Sequence, residues 1–529
     1  MTKKQTATLS ILTIIIIALC IMVSRRLWFR LDLTKGKSYT ISAVSRNLHN
    51  EITDQIRLTY YLSDKLKSIH PLPGEIEDLL REYAGFSRGK IQLTVRDPAK
   101  ANIAEQIEQL GILPQQIQTV EQDQASVTTV YTGIVIEYLD QIDVLPMVFS
   151  LETLEYDLTS RIRALVRGSA RLLGVIVGDG PQRWNENYRQ LQSAYMQAGY
   201  QLRLIGAGQE VSDAIPALLV LGGVESLDEA ALYQIDRYIQ AGGKVFFSVR
   251  GVYVDTESGS LEARLQADLG LLDMLSSYGA AALPEIVMDR SSLTMQYQTR
   301  APSGAVQYRI ARNPQWIRVL GENGNPAHPA SANFSGLDLY WASPLEISAP
   351  EGVQADYLFT STADAWSMRE PFYTNPEIPA YLFERDAAET SGEKILGLSL
   401  TGVFPSWFAD KPTPQAEDGE ELPAMPAQAK PARLIVVGET DFATSFLGVT
   451  NGQRNLDFMV QAADWLCNDD DIIQIRSRAP QSGRLDKIID EGKKASAMRL
   501  AKIVNVFVVP ALVVIAGLFF ALRRKGVLR

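Results

Sequence analysis

Two carboxylates in this 529-residue sequence stand where an α/β protein places a binding or reacting group. Asp179 lies between Gly178 and Gly180, directly after the apolar run 172–177. Asp441 follows Val436-Val437-Gly438-Glu439-Thr440. A carboxylate on a short loop past a strand end can hold a ligand or move a proton. The same position also suits a turn residue or a helix cap. Gly222-Gly223, closing the apolar run 217–221, is a second loop of this kind. Gly178, Asp179, Gly180, Gly222, Gly223 and Asp441 therefore form a candidate ligand crevice. No nucleophile–base pair accompanies them, so no catalytic residue is named.

Other chemistry is harder to find. Gly36-Lys37-Ser38 resembles the end of a phosphate loop, but the loop needs glycine where Leu31 stands and a strand before it. The chain is therefore not read as an ATPase. Gly206-x-Gly208 lacks the third glycine of a dinucleotide fingerprint. His49, His70 and His328 show no ligand spacing, so neither metal nor cofactor is expected. Cys20 and Cys467 are the two cysteines, too few and too far apart for a disulfide framework. Phe404, Trp407 and Phe408 around Pro405 read as packing residues or as an exposed partner surface.

The elements that position these groups begin at a membrane. Residues 6–23 are apolar apart from Thr and Ser, and as a helix they reach about 27 Å, enough to span. A cleaved signal peptide and a lipoprotein signal ending at Cys20 are the rival readings, but Arg25-Arg26 follows at once without a small-residue cleavage site, and Leu19 before Cys20 is poor for lipoprotein processing. Residues 503–522 form a second apolar run, closed by Arg523-Arg524-Lys525. The two ends, 1–40 and 493–529, hold fifteen Lys/Arg and one acid, Asp32, so the middle carries about −24 of a chain whose net charge is −10. Such a body repels phosphate backbones and excludes nucleic acid as a partner. Two spans and a basic tail predict both termini in the cytoplasm and the body outside it. Arg25, Arg26, Arg30, Lys493, Lys494 and Arg499 on the opposite side weaken that bias.

Length over roughly 150 suggests about three domains. Residues 30–168 read β-α-β-α-β-β-α: strands at 56–62, 91–95, 130–138 and 142–149, helices at 75–86, 101–110 and 151–166. This is the order of a thioredoxin-like domain, here without any Cys-x-x-Cys, so redox chemistry is not expected. Residues 169–490 alternate strands (172–177, 202–205, 217–221, 244–249, 396–400, 434–437, 472–475) with helices (185–198, 228–240, 261–278, 455–466). That pattern predicts a doubly wound, Rossmann- or flavodoxin-like sheet with a β-rich insertion at about 286–360. The stretch 411–431, rich in proline, reads as a loop that does not pack. The expected fold class is thus α/β, anchored by transmembrane helices within 1–29 and 491–529.

Short motifs run through the chain in order. Arg30-Leu31-Asp32-Leu33-Thr34 and Lys37-Ser38-Tyr39-Thr40-Ile41-Ser42 come first. Glu82-Tyr83, Arg96-Asp97-Pro98, Tyr131-x-Gly133 and Glu155-Tyr156-Asp157-Leu158-Thr159 follow. Then come His328-Pro329, the 436–442 segment, Asn455-Leu456-Asp457, Asp464-Trp465-Leu466 and Ile475-Arg476-Ser477-Arg478. Together they resemble the GldG family, auxiliary subunits of gliding-motility-type ABC transporters. Glu439 departs from the resemblance, since Asp is common there. The resemblance implies a membrane-anchored, non-catalytic partner of an ABC permease and a separate ATPase. It also implies a body like the domain seen in intraflagellar transport proteins, in contact with substrate or an envelope protein. Arg30, Asp32, Leu33, Thr34, Lys37, Tyr39 and Ser42 become the candidate permease-docking segment. Gliding itself is not transferred.

Overall fold

Ile56, Leu58, Tyr60 and Leu62 line one buried face of the strand Ile56–Leu62, as a period of two requires. In the computed structural model this strand is central to a four-stranded sheet. The order is Ile91–Arg96, Ile56–Leu62, Thr132–Tyr138, Gln141–Leu145, with the first pair parallel and the other two antiparallel. Helices Ala43–Glu51, Leu72–Phe86 and Leu154–Arg167 contribute to the same apolar cluster as this sheet. The structure describes residues 41–467, together with Ile475 and Arg499, except 113, 122–123, 150, 152, 169–170, 179, 257–260, 301–305, 333, 376–377, 416–420 and 451. The expected membrane runs 6–23 and 503–522 lie outside these residues. Among the described residues no helix is long and apolar enough to cross a membrane.

The second sheet is larger. Gln201–Leu204, Leu172–Val177, Ala217–Leu221, Lys244–Ser248 and Ala432–Val437 lie side by side in that order, all parallel. Ile395–Gly402 continues it antiparallel, and Val353–Thr360 pairs beyond that. Ala217–Leu221 is buried throughout, because both faces are covered. Alternate residues feed two cores. Leu219, Phe246 and Ile435 meet helices Arg189–Gln197 and Gln453–Cys467 on one face. Val220, Phe247 and Val436 meet Glu229–Gln240 and Leu271–Tyr278 on the other. Each fully buried phenylalanine is worth about 1.5–3 kcal/mol of transfer free energy. The β-rich insertion holds a three-stranded antiparallel sheet, Ser292–Arg300, Val306–Leu320 and Gly336–Tyr340.

Several elements differ from expectation for local reasons. The helix at 101–110 is two short ones, Pro98–Ala101 and Ala104–Gln109, divided at Asn102 with its φ of 56°. A polar hairpin, Gln115–Glu121 with Gln124–Val130, was not foreseen, as its glutamines hide any alternation. The helix at 261–278 is only Leu271–Tyr278. Asp268 accepts the Leu271 and Leu272 amides at 2.9 and 3.0 Å and sets its start. The preceding residues pair instead as Val252–Val254 with Ala263–Leu265. The helix at 185–198 breaks at Tyr188 into Pro181–Asn187 and Arg189–Gln197.

The proline-rich stretch does pack, contrary to its sequence reading. Tyr233 and Arg237 donate to the carbonyls of Pro423 and Ala424, and Leu422 and Met425 join the core over Glu229–Gln240. Phe404 and Phe408 are buried, edge-on to Tyr278 and Tyr233. The strand expected at 472–475 lies outside the described residues except for Ile475.

Candidate functional site

The order of the parallel strands reverses between Leu172–Val177 and Ala217–Leu221, which in open α/β sheets is where ligands sit. Gly178 and the Gly222-Gly223 loop meet there directly. The Gly178 amide donates to Leu221 at 3.2 Å, and a Cβ on Gly178 would collide with the Gly223 carbonyl oxygen. Backbone thus fills the middle of the expected crevice. Gly222 and Gly223 adopt φ of 59° and 56°, and Gly180 φ of 87° ahead of Pro181–Asn187. Asp179 lies outside the described residues.

Asp441 lies at this same end of the sheet, past Ala432–Val437. Its carboxylate pairs with Arg250 at 3.3 Å, two residues past the end of Lys244–Ser248. Arg250 donates to Gln266 at 2.9 Å, and Gln266 donates to Glu225 at 2.8 Å, just after Gly222-Gly223. Arg250 also lies over the Tyr253 ring, 4.6 Å from its centroid. Burial raises the Asp441 carboxyl, Arg250 and Arg183 lower it, and Glu225 raises it. Arg183, on the helix after Gly180, ties the first glycine loop to Asp441 electrostatically.

Glu439, not Asp441, accepts the backbone amides that shape this turn. Its fully buried carboxylate accepts the amides of Asp441 at 2.6 Å and Phe442 at 2.5 Å. Burial, then the neighbouring Asp441, push the Glu439 carboxyl well up, against those two amides and Arg250. Two carboxylates therefore share one nearby guanidinium, an arrangement able to hold a proton or answer a charged ligand. Asn455 locks the loop from behind. Its amide donates to Phe442 and Asp338 carbonyls at 2.7 and 2.8 Å and accepts the Asp338 amide at 2.8 Å. Arg250 and Gln266 escaped the sequence reading; the one available signal was a charged residue directly after the apolar 244–249 run.

A cavity of about 420 Å³ opens elsewhere, lined by His328, Pro329, Asp356, Arg433 and Trp465 among others. His328 and Ser399 look like a base and nucleophile, 3.0 Å apart. The Ala330 amide donates to His328 Nδ1 at 3.2 Å, so the proton sits on Nε2 and points at Ser399. A ring that donates to the serine cannot also take its proton. Burial lowers this imidazole to about 4, with Asp356 raising and Arg433 lowering it further. The His328-Pro329 motif is thus a fixed neutral wedge.

The docking candidates Arg30, Asp32, Leu33, Thr34, Lys37 and Tyr39 lie outside the described residues. Ser42 does not. It caps Ala43–Glu51 by accepting the Ser45 amide at 3.1 Å, and its own amide donates to Glu155 at 2.7 Å. Ser45 donates to the same Glu155 oxygen at 2.6 Å and meets Thr159 at 2.8 Å. Tyr156, on the next position of Leu154–Arg167, clusters with Val44 and with Ile475. The first and last described segments of the body thus meet on one helix, and the Glu155–Thr159 motif is what holds them.

Comparison with known proteins places this geometry. Residues 171–462 match the family described as "ABC-type uncharacterized transport system", and 35–137 match a domain of unknown function. The chain belongs to that transport-system family. The family segment contains both glycine loops, Arg250, Glu439, Asp441, His328 and Asn455, whereas Glu155 and Ile475 fall outside it. A relative described as an uncharacterized protein from Borreliella burgdorferi is 25% identical over 94% of each chain. Among solved structures, a ThuA-like protein from Parabacteroides merdae is 10% identical, covering 56% of this chain and 90% of that one, at a TM-score of 0.28. An exo-beta-1,4-mannosidase from an Opitutaceae bacterium, also 10% identical, covers 76% of this chain and 51% of that one at 0.22.

Proposed function

We propose that the chain is a non-catalytic auxiliary membrane subunit of an ABC transporter, energised by an ATPase on a separate polypeptide. In this reading it is a two-pass protein of the bacterial cytoplasmic membrane, with an extracytoplasmic body and cytoplasmic termini. Residues 30–168 form a thioredoxin-like domain, a reading supported by the four-strand order 91–96, 56–62, 132–138, 141–145. Residues 169–490 form a flavodoxin-like doubly wound domain, supported by five parallel strands in the order 2-1-3-4-5. The segment Arg30–Ser42 docks on the permease, and the body meets substrate or an envelope partner.

The observation that carries the reading, beside the family, is the meeting of Val44, Tyr156 and Ile475. A body tethered at both ends in one bilayer must present both ends on one side, and ends that meet do so. The test is a pull-down of the full chain in gentle detergent. Recovery of a multispanning permease and an ATPase is expected; the chain alone, across several mild detergents, would count against it. ATP hydrolysis by the purified chain, abolished by Lys37→Ala, would sink it.

A second reading, an anchored ligand-binding sensor or hydrolase, draws on the Asp441–Arg250–Glu439 group at the sheet's carboxyl end. It predicts a gene lying apart from any permease and ATPase. It also predicts a ligand or activity lost in Asp441→Asn.

A further inference from the structure

We propose that the exposed first part of the strand Val306–Leu320, Val306–Arg312, is a membrane-contact element that seats on anionic phospholipid headgroups. The strand Val306–Leu320 changes character along its length. Its second half packs into the body, with Trp316, Ile317 and Val319 buried and paired to Gly336–Tyr340. Its first five residues are exposed on both faces. Val306–Ile310 are therefore left uncovered by the described body. Val306, Tyr308 and Ile310 share one face and are 57%, 64% and 72% exposed. A single exposed apolar side chain is ordinary, but three at alternate positions of one strand are not.

The charge around this strand runs against the rest of the body. Residues 290–321 hold five arginines and no acid, within a middle region carrying about −24. Arg318 and Arg290 are bound to Asp338 and Glu384. Arg312 is exposed on the face of Ile310 and reaches the Arg290 carbonyl at 3.5 Å, and Arg309 is exposed on the opposite face. Tyrosine and aliphatic side chains set between arginines are the chemistry of a bilayer interface, where rings sit at the headgroups and guanidinium groups meet phosphate. Exposure of Val306–Ile310 on both faces favours a bilayer interface, which can surround these side chains, over an acidic protein, which would cover one face. The acidic remainder is repelled by the same lipids, so this strand alone approaches them.

This inference rests on the chain being held at a membrane. The test uses the full chain in lipid nanodiscs, with Cys20→Ser and Cys467→Ser, a fluorophore on Ile310→Cys, and quencher-labelled lipid. Quenching about threefold stronger in phosphatidylglycerol than in phosphatidylcholine is expected. Arg309→Gln with Arg312→Gln should remove the difference, and a fluorophore on Leu139→Cys should stay bright. The unaltered chain gives a second measure: amide exchange over 306–312 should slow in phosphatidylglycerol discs alone. Equal quenching in both lipids, no quenching, or quenching only after an acidic protein is added would overturn the proposal and leave the anchored reading standing. A chain that does not stay with the discs at all would overturn both.

Discussion

The Glu155 carboxylate accepts the Ser42 amide at 2.7 Å across 113 residues of sequence. The same oxygen accepts the Ser45 hydroxyl at 2.6 Å, so the first helix of the body is fixed by a distant residue as well as by its own cap. Charge-assisted bonds of this kind are worth about 1.5–3 kcal/mol each.

Glu155→Gln should therefore loosen Ala43–Glu51 without unfolding the sheet behind it. Amide exchange over residues 43–51 is expected to quicken about tenfold or more, corresponding to about 1.4 kcal/mol of local stability. Exchange that stayed unchanged there would mean that Glu155 is not the clasp.

Gly178→Ala and Gly74→Ala should move stability in opposite directions. A Cβ at Gly178 meets the Gly223 carbonyl, and one at Gly74, within Leu72–Phe86, meets nothing within 4 Å. The first substitution should cost several kcal/mol, about the scale of an overpacked core. The second should gain about 0.5–1 kcal/mol from lower backbone entropy. Denaturant midpoints of the two variants in detergent decide it.

Glu439 makes stability fall as pH rises. Burial holds its carboxyl above the ordinary value of 4.5, so above that pH the folded chain keeps a proton that the unfolded chain has lost. The contribution is whole below 4.5 and declines on going up through the raised range. Glu439→Gln should flatten this limb when denaturant midpoints are compared at about pH 5 and about pH 8. A limb of equal slope in the variant would assign it to other groups.

His328 works the other way. Its imidazole is lowered to about 4 from 6.5, chiefly by burial, so between those values the unfolded chain binds a proton that the folded chain refuses. Stability should decline as pH falls from 6.5 towards 4, by about 3 kcal/mol at most. His49, lowered by its own burial, adds in the same direction. His328→Asn should show a shallower acid limb in the same titration.

Much of this fold could be read from the chain because the parallel strands are continuous apolar runs. Leu172–Val177, Ala217–Leu221 and Lys244–Ser248 were all expected within a residue or so. The hairpin from 115 to 130 was not, since polar residues on both faces leave no period. Pairing decided other cases: residues 263–265 form a strand only because Val252–Val254 lies opposite. The proline-rich segment misled because composition says nothing about carbonyls that Tyr233 and Arg237 can use. At the site, Asp441 was legible from its place after a strand. Arg250 as its partner was not, because that depends on which loops the sheet brings together.

The contact of Ile475 with Tyr156 and Val44 gives the body the topology of a closed loop. The chain departs beside where it joined, so everything between is, in effect, an insertion. The large sheet is then free to grow, shrink or diverge without altering the spacing of Val44 and Ile475. Val44 and Ile475 are linked through one helix, Leu154–Arg167, and not through the length of the molecule.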